Sequence, residues 1–90
     1  MTKFVLTLIL LLGLSLSFAA VDVNTASEAD LDGIRGIGPS LSRKILAERQ
    51  KGDFKDWTDL MKRVKGIQPK SAARLSESGL TVNGQRHEPD

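Results

Sequence analysis

The chain has 90 residues, no cysteine, one histidine, and thirteen Lys and Arg against eleven Asp and Glu, for a formal net charge of +2. That length allows one small domain. Without cysteine there is neither a disulfide framework nor thiol chemistry, and His87 alone cannot build the usual zinc sites or a Ser/His/Asp relay, so no catalytic, cofactor or metal set is expected.

Lys3 is followed by an uncharged, mostly apolar run, FVLTLILLLGLSLSFAA, that ends before Asp22. A basic start, an apolar stretch and small residues at its end form the pattern of a secretory signal peptide. Ser17 and Ala19 satisfy the small-residue rule, which places the cut after Ala19 and leaves residues 20–90 as the exported chain. The alternative is an uncleaved membrane anchor, because Phe4 to Val21 is 18 residues, at the short edge of what can span a bilayer. The expected localisation is therefore periplasmic or secreted, or else anchored by that helix. Residues 20–26 read as a lead-in, 27–82 as the domain and 83–90 as a frayed tail.

SEAD opens the first helix: Ser27 caps it and Asp30 reaches back, with acids at the positive end. That helix is short and ends near Gly33. GIRGIGPS then places three glycines in six residues ahead of a proline. Pro39 has a preset φ that suits the first turn of a second helix, running to about Gln50 with Leu41, Ile45 and Leu46 on its inner face. Gly52 stops it, and GDFKDW connects. Asp56 or Thr58 caps a third helix, about Trp57 to Val64. KGIQ makes a second turn, Pro69 opens a fourth helix, and Gly79 is its C-cap. LTVNG reads as a short extended piece with an Asn-Gly turn. The class is all-α, with about four short helices. Phe54 and Trp57 read as filler in the seam between hairpins; a base-stacking role for Trp57 is the weaker alternative.

The chain repeats at an offset of thirty: LDGIRGIGPSLSRKI over MKRVKGIQPKSAARL. Ile34 matches Val64, Arg35 matches Lys65, Gly36 matches Gly66, Ile37 matches Ile67, Pro39 matches Pro69 and Lys44 matches Arg74. Between Gly33 and Arg74 stand eleven basic residues and four acids, a basic block between acidic ends that favours a polyanionic partner.

So tight a turn needs positive φ, which glycine adopts cheaply. Gly36 and Gly38 leave the backbone unshielded, so the amides near Gly36, Gly38, Ser40 and Leu41 form a cradle at a helix start where a phosphate oxygen fits. Ile37 and Ile67 pin the turns from inside. Arg35, Arg43 and Lys44 flank the first cradle, and Lys65, Lys70 and Arg74 the second. Two cradles related by a pseudo-twofold axis can hold phosphates on both strands of a duplex. Amides do not distinguish bases, so readout through the sugar–phosphate backbone is expected to be independent of sequence.

NTASEADLDGIRGIGPSLSRKI followed by GDFKDWTDLMKRVKGIQPKSAARL resembles the tandem helix-hairpin-helix domain of the ComEA family of competence proteins, from about Val23 to Val82. The resemblance implies an exported domain that binds double-stranded DNA and helps draw it across the envelope during natural transformation, with uptake machinery of the envelope as a further partner. It makes the hairpins Arg35–Ser40 and Lys65–Lys70 the DNA-contacting elements, Gly66 included. One departure stands out: Gln68 occupies the place of the second glycine, so the second hairpin is expected to bind more weakly or to serve as scaffold. The competing reading is a protein-interaction module, since tandem hairpins of this type also pair proteins.

Overall fold

The computed structural model describes residues 20–88; the signal-peptide or anchor segment expected at 1–19 lies outside them. Ser27 Oγ accepts from the Asp30 amide at 3.1 Å and Asp30 Oδ2 accepts from the Ser27 amide at 3.2 Å, the reciprocal cap that the sequence calls for. It starts helix α1 (Glu28–Asp32), which Gly33 ends. Helix α2 (Pro39–Arg49) has proline in its first turn. Helix α3 (Trp57–Arg63) is capped by Asp56 rather than Thr58, with Asp56 Oδ1 accepting from the Asp59 amide at 2.7 Å. Helix α4 (Pro69–Glu77) follows the second turn, and Gly79 lies just past it at φ +108°. Two hairpins result, α1 packed on α2 and α3 on α4.

The repeat is carried into the core. Ile34 and Val64, Ile37 and Ile67, and Ile45 and Leu75 are all buried. So are Ser42 and Ala72, each fully excluded from solvent at the same position of the repeat. A small residue there lets the two helices of a hairpin approach closely, and Ser42 Oγ donates to Asp32 Oδ1 to tie α2 to α1. Ser42 therefore takes a core place that the helical pattern assigned to its apolar neighbours. Leu41 and Leu46, expected on the inner face, are only half-buried at its edge. Phe54 and Trp57 are buried, which makes them core residues and leaves no face of Trp57 open for base stacking.

The lead-in and the tail are not loose ends. Strand β1 (Val21–Asp22) pairs in parallel with β2 (Leu80–Thr81), Val21 opposite Leu80 and Asp22 opposite Thr81, so a two-residue ribbon joins the mostly helical domain. Asn24 clamps the lead-in to the connector: its Oδ1 accepts from the Phe54 amide at 2.8 Å and its Nδ2 donates to the Phe54 carbonyl at 3.0 Å. Arg49 donates to the Val23 and Ala26 carbonyls at 2.8 Å each. Beyond β2 the chain turns at Asn83–Gly84, and Val82 and Gln85 exchange backbone hydrogen bonds. Trp57 Nε1 donates to the Gln85 carbonyl at 2.9 Å. The His87 amide donates to Ser76 Oγ at 2.9 Å, and the His87 ring meets Trp57 edge-on at 5.4 Å. The expected fraying of 83–90 is corrected for the residues through His87: an indole N–H and a buried serine hydroxyl inside the fold need partners, and the tail supplies them. No helix among the described residues is long and apolar enough to cross a membrane.

Candidate nucleic-acid interface

The two turns have nearly the same backbone. Gly36 and Gly66 sit at φ +97° and +106°, the left-handed conformation that a side chain strains to adopt. Gly38 and Gln68 follow at φ −96°, ψ 177° and φ −113°, ψ 167°, extended backbone open to any residue. Each turn is pinned by the buried isoleucine after its first glycine. The Ile37 amide donates to the Ile34 carbonyl at 3.0 Å, and the Ile67 amide to the Val64 carbonyl at 3.4 Å.

The glycines of the first turn have different reasons. A Cβ at Gly36 would stand 3.2 Å from Leu75 Cδ2 of α4, so the fold itself demands glycine there. A Cβ at Gly38 would meet nothing within 4 Å. Neither conformation nor packing explains Gly38; bare backbone at the mouth of α2 does, if another molecule approaches it. Gly38 offers no side-chain cap, so the first-turn amides of α2 are left without one at the positive end of an eleven-residue helix.

The second turn handles its N-cap amide, the counterpart of the Gly38 amide, differently. The Gln68 N–H donates to Ser71 Oγ at 2.9 Å, and that hydroxyl lies 3.1 Å from the Gln68 carbonyl. Ser71 occupies the repeat position of Leu41, which has no polar atom to offer Gly38. Gln68-x-x-Ser71 has capping-box spacing, and that was the available signal for it in the sequence.

Of the expected contact residues, Arg35, Gly36, Gly38, Ser40, Arg43, Lys44, Lys65, Gly66, Lys70 and Arg74 are exposed. Ile37 and Ile67 are buried, so only their main chains can reach a ligand. Lys44 of α2 and Lys65 of the second turn line one shallow groove with Ala47, Glu48, Arg63 and Val64, which brings bases from both repeats together.

The basic block divides by use. Arg63 stacks over the Phe54 ring at 4.4 Å and donates to the carbonyls of Glu48, Gly52 and Asp53 and to the Glu48 and Asp59 carboxylates. Arg49 holds the lead-in, Lys51 pairs with Glu48 at 2.9 Å, and Arg43 leans toward Glu28 at 3.8 Å. The seven other bases of the block, among them Arg35, Lys44, Lys65, Lys70 and Arg74, are exposed and form no ion pair among the described residues. Hydrogen bonds from Lys51 and then Arg63 hold the Glu48 carboxyl below its ordinary range, and the Lys55 amide, with Arg63, does the same for Asp59.

Paired hairpins with positive-φ glycines, proline-led second helices and a shared apolar core define a helix-hairpin-helix module. The chain belongs to that family: the helix-hairpin-helix motif model matches residues 17–78. It is also similar to ComE operon protein 1 of Bacillus subtilis (strain 168), 42% identical over 65 residues. That match takes in 71% of this chain and 31% of the relative, so the chain spans about a third of the protein it resembles. The likeness bears out the ComEA-type resemblance read from the motifs. No solved structure matches the chain significantly.

Proposed function

We propose that this protein binds double-stranded DNA through its sugar–phosphate backbone, without sequence preference, and acts in DNA uptake on the far side of the cytoplasmic membrane. The observation that carries the binding reading is Gly38: an exposed glycine that neither fold geometry nor packing requires, at an uncapped helix start among unpaired bases. The ComE-operon relative and the apolar segment before the domain support the uptake role and the export. No base-reading helix is part of this reading; the contacts are main-chain amides and flexible cations, which position a duplex without reading it.

A gel-shift titration against two unrelated duplexes tests it. If about four phosphates are neutralised, the log–log salt slope is near −3.6 and equal on both sequences. No shift at low salt ends the DNA reading, and salt-insensitive capture of a protein partner would replace it with an interaction module. Export is tested by N-terminal sequencing of the protein from the cell envelope, where a start at Ala20 matches a cut after Ala19. A binder held on one side of a membrane biases DNA entry by occupying each newly arrived stretch; an unchanged entry rate in a deletion strain would sink that role.

A further inference from the structure

We infer that Ser71 takes up the Gln68 amide, the second hairpin's counterpart of the Gly38 amide, so that the two hairpins, alike in backbone, divide the work: the first offers that main-chain N–H to the duplex, and the second relies more on charge. The inference rests on the duplex-binding reading above and deepens it.

The argument starts from what a hydroxyl can do. It has one hydrogen to donate and lone pairs to accept with. Ser71 Oγ uses both: it accepts from the Gln68 amide at 2.9 Å and can give its hydrogen to the Gln68 carbonyl at 3.1 Å. A neutral oxygen of the protein's own thus stands on the amide where a phosphate oxygen would have to sit. At the first hairpin the matching residue is Leu41, and no side chain caps Gly38. The difference is not one of backbone, since Gly38 and Gln68 share their extended conformation and Gly36 and Gly66 their positive φ. The Gln68 side chain adds bulk at the same mouth, and it is exposed. Lys65, Lys70 and Arg74 around the second turn remain exposed and free to meet phosphates as point charges. A duplex that engages the second turn must first break the Ser71 bond, and so gains less there than at Gly38.

The test removes the oxygen and leaves its place open. Ser71→Thr keeps the hydroxyl, and Ser71→Ala removes it and puts nothing in its stead. Ser71→Ala is expected to bind duplex about two- to tenfold tighter than Ser71→Thr, the net worth of one hydrogen bond no longer given up. The salt slope is expected to be the same for both, because the freed partner is uncharged. Hydrogen exchange provides a second readout: the Gln68 amide is slow in the unliganded wild type and in Ser71→Thr, and fast in unliganded Ser71→Ala. Equal affinities, weaker binding by Ser71→Ala, or a fast Gln68 amide in the wild type overturns the inference. Failure of the wild type itself to shift any duplex removes the DNA reading, and this inference with it.

Discussion

Gly36 and Gly38 stand two residues apart, and the structure assigns them opposite failures. Gly38 has extended backbone, and a Cβ there would have no neighbour within 4 Å, so Gly38→Val is accommodated. Its cost to folding is the poorer helix cap, about 0.5–1 kcal/mol. In a domain of this size that lowers Tm by about 4–8 °C at most. The valine methyls would instead stand over the amides of α2 and keep a phosphate oxygen from them. Losing a hydrogen bond to a charged group costs about 1.5–3 kcal/mol, or about ten- to 150-fold in affinity. Gly36→Val has the reverse profile. Its φ of +97° and the 3.2 Å approach to Leu75 Cδ2 put the cost in the fold, about 2–4 kcal/mol. Thermal melts followed by circular dichroism, beside fluorescence anisotropy on two unrelated duplexes, measure both quantities for both variants. If Gly38→Val binds like the wild type, or loses binding only in proportion to unfolding, then bare backbone at that mouth has no role in recognition.

Other consequences follow from the same contacts. Reversing Lys65 and Lys70 to glutamate is expected to weaken binding equally on every sequence and to flatten the salt slope by about 1.8; a loss confined to one sequence contradicts backbone readout. Asn24→Ala strips the Phe54 amide of its acceptor and frees the lead-in, and should lower stability by about 1–3 kcal/mol in urea titrations; an unchanged midpoint refutes the clamp. Glu48 and Asp59 titrate below their ordinary values of 4.5 and 3.8 in the folded chain, so the unfolded chain takes up protons first. Their contribution is full above the ordinary carboxylate range and is lost as pH falls through the lowered values. Arg63→Met should lower stability at neutral pH and shrink that acid loss; equal acid slopes in both proteins would show that Arg63 does not hold those carboxylates.

Much of the fold was legible because its signals are local. Ser27 with Asp30, Asp56 before α3, and Pro39 and Pro69 at helix starts act within a few residues of themselves, so helix starts read correctly. The repeat at thirty residues revealed both turns, since a left-handed φ selects glycine whatever surrounds it. The parallel pairing of Val21–Asp22 with Leu80–Thr81 was not legible, because two-residue strands almost sixty positions apart carry no periodicity. Nor was the docking of Gln85 and His87 on the Trp57 and Ser76 side.

By itself, then, the sequence determined two helical hairpins, their glycine turns and the bases around them. Tertiary structure alone decided which bases are free. Arg49 and Arg63 count equally with Arg35 and Lys65 in composition, yet packing turns the first two onto backbone carbonyls and, for Arg63, an aromatic ring, and leaves the others in solvent. It alone also separated Gly36, held by Leu75, from Gly38, held by nothing. The reason is physical: conformation is a property of the local chain, whereas the partner of a long side chain, or the space beside a glycine, depends on residues that only folding brings near.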